Sequence, residues 1–453
     1  MPSQQYINRY KKLNPAEISD GEYLVYWMQA SQRVEQNHAL EFAIEWANDL
    51  KAPLVVFFGI TDDYPDANER HYAFMLHGLK EVSRQLEKRG IQIIVRYESP
   101  EKGIVAFVNN SQGVVTDRGY TKIQRSWRTE ISETLDIPFY QVETEVVVPI
   151  EVVSEKREYA ARTIRPKINK HLDTYMAAVE QRRLDNPSLS LKFEGLDISD
   201  PEAILGQLNI DRSVSPVNNY IGGYSEAIKH LDDFIKNKLS HYDVKRDDPT
   251  TNYLSNMSPY LQFGQISPIE IALKVQNADA TDSAKKAYIE ELIVRRELSM
   301  NFCYYDENYD NLDCIPGWAR ETLDAHRQDP RQHVYSFEVF ENAETHDPYW
   351  NAAQREMMKT GKMHGYMRMY WGKKILEWTA DPAEAFQIAL RLNNKYELDG
   401  RNPNGYAGVA WCFGNHDRAW PEREVFGKVR YMNANGLKRK FDADAYIDKV
   451  TKL

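Results

Sequence analysis

Cysteine is scarce in this sequence, and its scarcity limits the chemistry that is available. Three cysteines occur in 453 residues, at positions 303, 314 and 412, an odd number without C-x-x-C spacing. Separated thiols of this kind exclude a disulfide framework and are too few for a four-thiolate metal cluster. They suit a reducing compartment, and we therefore expect a cytoplasmic protein.

Long apolar runs and an excess of positive charge are also absent. The longest apolar runs, such as Ala52 to Ile60, are too short to span a bilayer, and the N-terminal residues contain no apolar signal-peptide core. The formal net charge of −10 argues against a general coat for nucleic acid, because nonspecific binding requires Lys and Arg to neutralise phosphates. Basic residues do cluster at 359–374 and 428–440. Each cluster fits either a solvated face or a surface that meets DNA.

The common nucleotide-binding patterns are missing from an otherwise α/β-like N-terminal region. Neither G-x-G-x-x-G nor G-x-x-x-x-G-K-[ST] occurs in the chain, so this region is not an ordinary dinucleotide or P-loop module. Apolar runs nevertheless alternate with helical patterns over residues 20–150, which predicts a doubly wound parallel sheet of five strands. The predicted strands are residues 23–28, 54–58, 91–95, 113–117 and 138–142.

The rest of the chain divides into a connection and a helical domain. Residues 151–219 show weak periodicity and contain two turn-rich segments, 185–188 and 213–216, so we expect a long linker between domains. From residue 220 to residue 453 the signal is helical almost throughout, and six of the nine tryptophans lie there. We expect this helical domain to carry the function.

The stretch from Lys362 to Trp378 places basic, aromatic and thioether side chains at helical spacing. An amphipathic core helix with a solvated basic edge explains the stretch when it is taken alone. Two neighbouring segments, 344–350 and 396–411, favour a functional interpretation. Together the three segments resemble the flavin-binding helical domain of DNA photolyases, most closely that of the class II enzymes, which repair cyclobutane pyrimidine dimers.

Residues 247–267 combine hydroxyl and amide side chains with the start of a helix, whose free N–H groups can bind a diphosphate. An ordinary capped helix gives the same pattern. The segment is similar to the photolyase loop that holds the diphosphate and ribityl chain of FAD. The resemblance also implies a charged pair alongside the flavin ring, Arg368 and Asp399, and places Asn393 near flavin N5. The expected cofactor-binding residues are Tyr242, Leu254, Ser255, Asn256, Met257, Ser258, Arg368, Asn393 and Asp399.

Carboxylates lie among apolar residues in the predicted helix from Glu290 to Leu298. Spacing alone favours surface salt bridges between residues four apart. The resemblance assigns Glu291 to the substrate pocket, where its carboxyl group would hydrogen-bond the dimer and stabilise the charge that develops during repair. Some relatives carry a lesion-stacking tryptophan at the position of Arg295, whose planar guanidinium could partly replace it.

Trp350, Trp371 and Trp378 would ordinarily be core-filling residues. The resemblance makes them a hopping route for photoreduction of the flavin, with Trp371 beside the flavin, Trp350 second and Trp378 nearest to solvent. Two tyrosines, Tyr335 and Tyr370, lie close to this route in the family. The expected catalytic residues are Glu291, Asn393, Trp371, Trp350 and Trp378.

The segment from Trp411 to Arg430 gathers aromatic and charged side chains. By resemblance, Trp411 is the wall on which a flipped dimer rests, and two arginines fill or brace the opened duplex. His416 has no second His or Cys at ligand spacing, so we expect no metal site. The expected DNA-binding residues are Arg246, Met369, Trp411, Asp417, Arg418 and Arg430.

These residues predict a lyase that splits cyclobutane pyrimidine dimers in DNA by electron transfer from photoexcited FADH⁻. The fold leaves open a different function, that of a cryptochrome-like flavin photosensor that acts through a protein partner; the retained pocket residues Glu291, Met369, Trp411 and Arg430 favour repair. The resemblance allows for a second, antenna chromophore of the deazaflavin or folate type in the N-terminal domain, but the sequence does not show which one, if any, is bound there. We expect a monomer that binds damaged DNA and no membrane.

Overall fold

The N-terminal part of the chain is built on one six-stranded sheet, in a computed structural model that describes residues 6, 8–18 and 20–453. Its strands are β1 (Tyr10–Lys12), β2 (Tyr23–Trp27), β3 (Leu54–Ile60), β4 (Gln92–Tyr97), β5 (Ser111–Asp117) and β6 (Phe139–Val142). Strands β2 and β3 are buried along their whole length. This burial is typical of a parallel sheet with helices on both faces, and it explains their continuous apolar runs.

Four helices connect the strands, and they are α1 (His38–Leu50), α2 (Glu69–Lys88), α3 (Pro100–Phe107) and α4 (Lys122–Thr134). The strand order is β1-β6-β5-β2-β3-β4, with β2 through β6 parallel. From β2 the chain continues to β3 and β4 on one side of the sheet and then crosses back to β5 and β6 on the other side. The carboxyl ends of β2 and β5 therefore form the switch point where such sheets bind ligands. The carboxylate of Asp117, at the end of β5, accepts hydrogen bonds from the hydroxyl of Tyr26 and the amides of Gln29 and Ala30.

The predicted parallel sheet is confirmed, but the count of five strands was one too low. The sixth strand, β1, pairs antiparallel with β6 at the edge of the sheet. It consists of three residues, Tyr10 to Lys12, that are exposed or half-buried. A strand that is held by backbone pairing at an edge has no buried apolar face, so it leaves no hydrophobic pattern in the sequence.

Residues 151–219 are more ordered than an irregular linker. Four short helices occur near or within them: α5 (Ile150–Val153), α6 (Ala161–Asn169), α7 (Leu172–Tyr175) and α8 (Pro201–Gln207). The first half of the segment packs into the core of the helical region through residues such as Ile164 and Ile168. The second half returns to the sheet, where Ile204 and Leu205 pack beneath α2. The segment therefore ties the two parts of the protein together along its length.

The remaining chain is helical, as expected. Among the described residues, no helix is long and apolar enough to cross a membrane. A π-helical turn, Glu290–Arg295, joins α13 to α14. The helices are α9 (Tyr224–Asn237), α10 (Tyr242–Lys245), α11 (Ser258–Gln262), α12 (Pro268–Gln276), α13 (Asp282–Ile289), α14 (Arg296–Tyr305), α15 (Gly317–Ala325), α16 (Phe337–Glu341), α17 (Pro348–Thr360), α18 (Gly365–Glu377), α19 (Pro382–Tyr396), α20 (Pro403–Cys412), α21 (Ala434–Lys440) and α22 (Ala443–Thr451).

Buried arginines join the sheet to the helical region. Arg70 on α2 donates to the carbonyl oxygens of Met357, Met358 and Tyr396. Arg33, in the loop after β2, is fully buried; it donates to the carbonyl oxygen of Gly264 in the helical region at 2.9 Å and lies 2.6 Å from the carboxylate of Glu145. A buried cation with several acceptors is costly to separate from them, so these contacts hold the two regions in a fixed relation across the cavity described next.

Candidate functional site

A cavity of about 680 Å³ lies between the carboxyl ends of β2 and β5 and the helices α10, α11, α18 and α20. Its volume is typical of a small-molecule site. Ala30 and Thr121, which follow β2 and β5, form part of its wall, so the cavity opens at the switch point of the sheet. The cavity brings together the following residues that were predicted from the sequence: Tyr242, Arg246, Leu254, Ser255, Asn256, Met257, Ser258, Glu291, Arg368, Met369, Asp399 and Trp411.

One wall of the cavity is the turn that leads into α11. Asn256 has a φ of 57°, in the left-handed region that Asn tolerates better than most residues. The N-cap of α11 is Met257, and its side chain makes no capping hydrogen bond; the polar side chains are directed elsewhere. Ser255 accepts from the hydroxyl of Tyr288 at 3.0 Å, and Ser258 accepts from the ammonium of Lys362 at 2.5 Å. The turn therefore presents hydroxyl groups and a cation at one place.

Four charged groups meet next to this turn. Arg368 lies 3.2 Å from the carboxylate of Asp399 and 3.1 Å from that of Glu397, and Lys362 lies 3.5 Å from Asp399. Burial would raise the pKa of Asp399, but Arg368 and Lys362 outweigh it and hold this pKa well below its usual range. Burial raises the pKa of Glu397 to about 8 in spite of the opposing Arg368.

The unequal pKa values of the two acids determine the charge of the cavity. Burial disfavours the ionised form of Glu397, whereas Arg368 and Lys362 favour the ionised form of Asp399, so two cations face only one acid that ionises readily and the group favours a positive charge. The Nε of Arg368 is buried and has no hydrogen-bond partner among the described residues. A positive site with a free donor suits an anionic ligand.

Glu291 lies at the mouth of the cavity, on the π-helical turn. A π turn widens the helix locally and often occurs at functional sites. The carboxylate of Glu291 pairs with Arg246 at 2.8 Å, and the guanidinium of Arg246 is 5.8 Å from the ring centroid of Tyr242. Arg295, which also lines the cavity, pairs instead with Glu290 at 3.2 Å. The salt bridges that spacing favoured between residues four apart are wrong for these residues, because Glu290 and Arg295 are five apart and Glu291 faces the cavity and pairs with Arg246.

Trp411 and Met369 form an apolar part of the same cavity, on α20 and α18. Behind them, Arg430 lies 5.5 Å from the ring centroid of Trp411 and makes two hydrogen bonds to the carboxylate of Asp417, at 2.8 and 2.9 Å. Arg418 is exposed. Asp417, Arg418 and Arg430 therefore lie outside the cavity lining, next to its aromatic wall.

The three predicted redox tryptophans form a continuous buried array. The rings of Trp371 and Trp350 are stacked, and Trp350 is followed by Trp378 with ring centroids 6.3 Å apart. Tyr335 meets Trp378 edge-on at 5.9 Å, and its hydroxyl lies 2.8 Å from Nδ1 of His346, an exposed residue. Trp350 therefore lies between the other two indoles and the array ends near the surface at Tyr335, while Trp371 is not part of the cavity lining.

Asn393 lies behind the cavity wall. Its side chain is buried, donates to Oδ1 of Asn394 and is not part of the cavity lining. A Cβ placed on Gly405 would lie 3.0 Å from the Asn393 amide nitrogen. Asn393 therefore packs closely against the start of α20, whose residues Asn402 to Asn404 do line the cavity.

A second, smaller cavity of about 110 Å³ lies on the carboxyl side of β2 and β3, between the sheet and residues Gln262, Phe263 and Arg401 of the helical region. Gln29 and Gln32 line it, and both are buried with side-chain amide atoms that have no partner among the described residues. This cavity adjoins the larger one, because five residues line both. They are Ala30, Tyr64, Gln124, Gln262 and Arg401.

Sequence reasoning missed several residues that shape the site. Lys362 and Lys373 were recognised only as part of a basic stretch, since spacing does not show which lysines turn inward. Glu397 is fully buried, but an acid next to a turn looks exposed in a sequence. No sequence signal marks the π-helical turn that directs Glu291 into the cavity.

Comparison with known proteins places these features in one family. The family model described as DNA photolyase matches residues 24–187. The deoxyribodipyrimidine photo-lyase of Methanothermobacter thermautotrophicus is 52% identical over 99% of both chains, and that of Potorous tridactylus is 41% identical over 94% of this chain and 81% of its own. Among solved structures, a class III photolyase from Agrobacterium tumefaciens has a TM-score of 0.74 at 18% identity, with 97% of this chain and 88% of that chain covered. A cryptochrome from Synechocystis has a TM-score of 0.73 at 16% identity, with coverage of 95% and 88%.

Proposed function

This chain belongs to the DNA photolyase family, and from that premise we propose that its large cavity holds FAD together with a pyrimidine dimer turned out of the DNA. Its reaction is the light-dependent repair of cyclobutane pyrimidine dimers. One observation carries the proposal: the charged side chains of Arg368, Lys362 and Asp399 line the same cavity as Glu291, Met369 and Trp411. A cofactor site and a substrate site thus share one space.

The residues present fit FAD. When bound, reduced FAD supplies the electron that splits the dimer after light absorption and is recovered at the end of the reaction. The hydroxyl groups of Ser255 and Ser258, with the ammonium of Lys362, form a polar, cationic turn that suits a diphosphate. Arg368 would offer its unpartnered Nε to the ring system, with Asp399 holding the guanidinium in place.

The residues at the mouth of the cavity would hold the dimer. The indole of Trp411 offers a flat face for a base, a contact that ordinarily contributes about 1–3 kcal/mol. The carboxyl group of Glu291 would hydrogen-bond the polar edge of the pyrimidines, and Met369 would fill the apolar space beside them. Binding in this way excludes water from the bases and places fixed dipoles around the charge that develops.

The tryptophan array would return the enzyme to its active redox state. Trp371, Trp350 and Trp378 lead from the interior to Tyr335 near the surface. This arrangement supports photoreduction through the three indoles, a process that is separate from repair. Asn393 would act from behind the wall, by fixing the start of α20 beside the flavin.

Positive residues around the mouth would open and grip the DNA. Arg246 and Arg430 are each paired to an acid in the free protein, to Glu291 and Asp417 respectively. When DNA binds, each arginine would leave its acid and contact a phosphate or the gap that the flipped dimer leaves in the duplex. Arg418 is already exposed in the free protein. We propose that the protein works as a monomer inside the cell, where its DNA substrate is found.

The smaller cavity would hold only part of the antenna chromophore that the resemblance allows, because its volume of about 110 Å³ is below that of ordinary ligand pockets. Unpartnered amide atoms on Gln29 and Gln32 offer both a donor and acceptors to a heteroaromatic ligand such as a deazaflavin or a folate. The shared lining residues place such a ligand next to the flavin site. Excitation of added chromophore should produce flavin-dependent repair at wavelengths that the flavin absorbs weakly; repair that is unchanged at those wavelengths would contradict the antenna role.

A flavin photosensor is the second candidate, and the similarity of the fold to a cryptochrome supports it. One assay separates the two functions. Chemically reduced protein is illuminated with a dimer-containing oligonucleotide, and the return of pyrimidine absorbance is followed against a dark sample and a Glu291→Gln variant. We expect light-dependent recovery that is strongly slowed in the variant. If illumination restored no absorbance in the wild-type protein, the repair function would be rejected in favour of the photosensor.

A further inference from the structure

Lys373 is a buried lysine on α18 that the assignments above do not use. None of its surface is exposed. Its ammonium donates to the carbonyl of Cys412 at 2.6 Å and lies 3.4 Å from the carbonyl of Trp411. The same ammonium lies 4.8 Å from the ring centroid of Trp411. A full positive charge therefore rests against the indole that lines the cavity.

The close approach of two helices makes this contact possible. Gly372 on α18 faces Cys412 at the end of α20, and a Cβ at Gly372 would lie 2.6 Å from the sulfur. The absence of a side chain at Gly372 brings the helices together, so the stem of Lys373 reaches across to the last turn of α20. Carbonyl oxygens in a last turn lack helical partners and carry the negative end of the helix dipole. Lys373 neutralises that end.

The position of Lys373 relative to the cavity is informative. Met369 and Lys373 are one helical turn apart on α18, so they lie on the same side of the helix. Met369 and Trp411 line the cavity, whereas Lys373 does not. The ammonium therefore contacts the ring of Trp411 from within the protein, without lining the cavity itself.

We propose that Lys373 is a positioning residue for substrate recognition, whose ammonium fixes the end of α20 and the plane of Trp411 so that a flipped pyrimidine dimer meets a rigid aromatic face. The inference rests on the proposed role of Trp411. A cation over an indole contributes about 0.5–2 kcal/mol, more when it is desolvated. Here the contact also limits the rotation of the ring, so less conformational freedom remains to be lost when the base stacks.

The protonation state of Lys373 provides a specific signature. Burial lowers the pKa of Lys373 to about 8, and the charged or titratable groups that face it are Cys412, Asp417 and Arg430. Asp417 favours the charged form and Arg430 opposes it, while burial raises the pKa of Cys412 to about 11. The ammonium is lost as the pH rises through about 8, so recognition of the dimer should weaken in that range.

The test compares binding in the dark of single-stranded oligonucleotides with and without a dimer. Lys373→Met keeps most of the stem and removes the charge, and we expect about a five- to tenfold loss of affinity for the dimer with unchanged affinity for undamaged DNA. FAD content serves as the check on folding. Lys374→Met is the matched control, because Lys374 is the next residue and is also buried. Its ammonium pairs with the carboxylate of Glu377, at a distance of 2.5 Å, and not with Trp411. It should bind the dimer as the wild type does.

The pH profile makes the inference testable even if the methionine variant does not fold. Preference of the wild type for the dimer should fall as the pH rises through about 8, and Lys373→Arg should remove that step because a guanidinium stays charged. A step that persists in Lys373→Arg, or wild-type affinity in Lys373→Met, would overturn the inference. Trp411→Ala, measured in parallel, distinguishes a failure of the proposed role of Trp411 from a failure of the proposed role of Lys373. If it binds the dimer normally, the aromatic wall itself is wrong; if it loses affinity while Lys373→Met does not, only the role of Lys373 is wrong.

Discussion

The indole planes of Trp350 and Trp371 lie 8° from parallel, with ring centroids 6.2 Å apart. Two hydrogen bonds hold this stack: Nε1 of Trp350 donates to the carbonyl of Trp371, and Nε1 of Trp371 donates to Oε1 of Gln354. Both rings are buried in the largest apolar cluster of the helical region. Packing and hydrogen bonding thus fix the distance that an electron would have to cross.

We expect Trp371→Phe to abolish photoreduction while sparing repair. Phenylalanine keeps most of the buried aromatic surface, so folding should lose on the order of 1–2 kcal/mol, but it removes the oxidisable indole. Light-driven reduction of bound oxidised FAD should therefore collapse, whereas repair by chemically reduced protein should stay near normal. Both activities are measured on the same preparation, and Trp350→Phe should show the same separation.

Trp46→Phe is the control for this prediction. Trp46 packs against Tyr140 in the α/β region, outside the array, and its replacement should leave photoreduction unchanged. Photoreduction at the wild-type rate in Trp371→Phe would show that electrons reach the flavin by another route and that this tryptophan serves only in packing.

Trp411→Ala should lower affinity for dimer-containing DNA by about 1–3 kcal/mol, the usual contribution of a base stacked on an aromatic ring. FAD content should not change, because the predicted cofactor residues lie on other parts of the cavity. The measurement is equilibrium binding to damaged and undamaged single strands. Trp318→Ala, at a half-buried tryptophan that donates to Tyr159, is the control. Equal losses for both DNAs would make Trp411 a packing residue.

The alternating strands and helices of the N-terminal region were readily predicted, because burial on both faces leaves continuous apolar runs. Gly90, which lies just after α2, has a φ of 75°, which fits the left-handed position that follows a helix. The edge strand β1 was not predictable in this way. It is held by backbone pairing and by the contacts of Tyr10 with Phe42 and Tyr140, and three residues are too few to give a hydrophobic pattern.

The site shows a similar division. Hydroxyl groups, tryptophans and the Arg368–Asp399 pair were identified through segments with a recognisable family pattern. Lys373 and Glu397 were not, because their behaviour depends on burial, and burial is decided by residues far away in the chain. Glu291 was assigned by resemblance, but its direction comes from the π-helical turn, and helix propensities do not distinguish such a turn from an ordinary helix.

Arg246→Ala should weaken binding to a dimer in duplex DNA more than binding to a dimer in a single strand. Only the duplex must be opened and held open. The same change leaves Glu291 without its partner at 2.8 Å, so Arg246→Ala is compared with the double variant Arg246→Ala/Glu291→Gln, which removes the unpaired charge. If the duplex loss persists in the double variant, Arg246 contacts DNA.

The salt dependence of the same measurements tests what Arg246 contacts. Removing one phosphate contact should reduce the slope of log affinity against log salt by about 1. Arg430→Ala should also affect the duplex more than the single strand, with Asp417→Asn as the variant that removes its acidic partner. Equal losses on duplex and single strand would reject the opening role for either arginine.

The last prediction concerns Glu397, whose pKa of about 8 in the folded protein compares with 4.5 for an ordinary glutamate. The unfolded chain loses this proton near pH 4.5 and the folded protein holds it until about pH 8. The folded state therefore binds more protons between these values, and the contribution of Glu397 to stability decreases as the pH rises through this window and is lost above it.

Glu397→Gln cannot ionise, so it should remove this loss of stability. We expect the difference in Tm between the variant and the wild type to grow in favour of the variant from about pH 5 to pH 8 and then to level off. Glu356→Gln, at another buried carboxyl group on α17, shows how much of the change is general to buried acids. A Tm difference that is independent of pH would mean that Glu397 is already ionised at neutral pH and that the cavity around Arg368 is less positive than we infer.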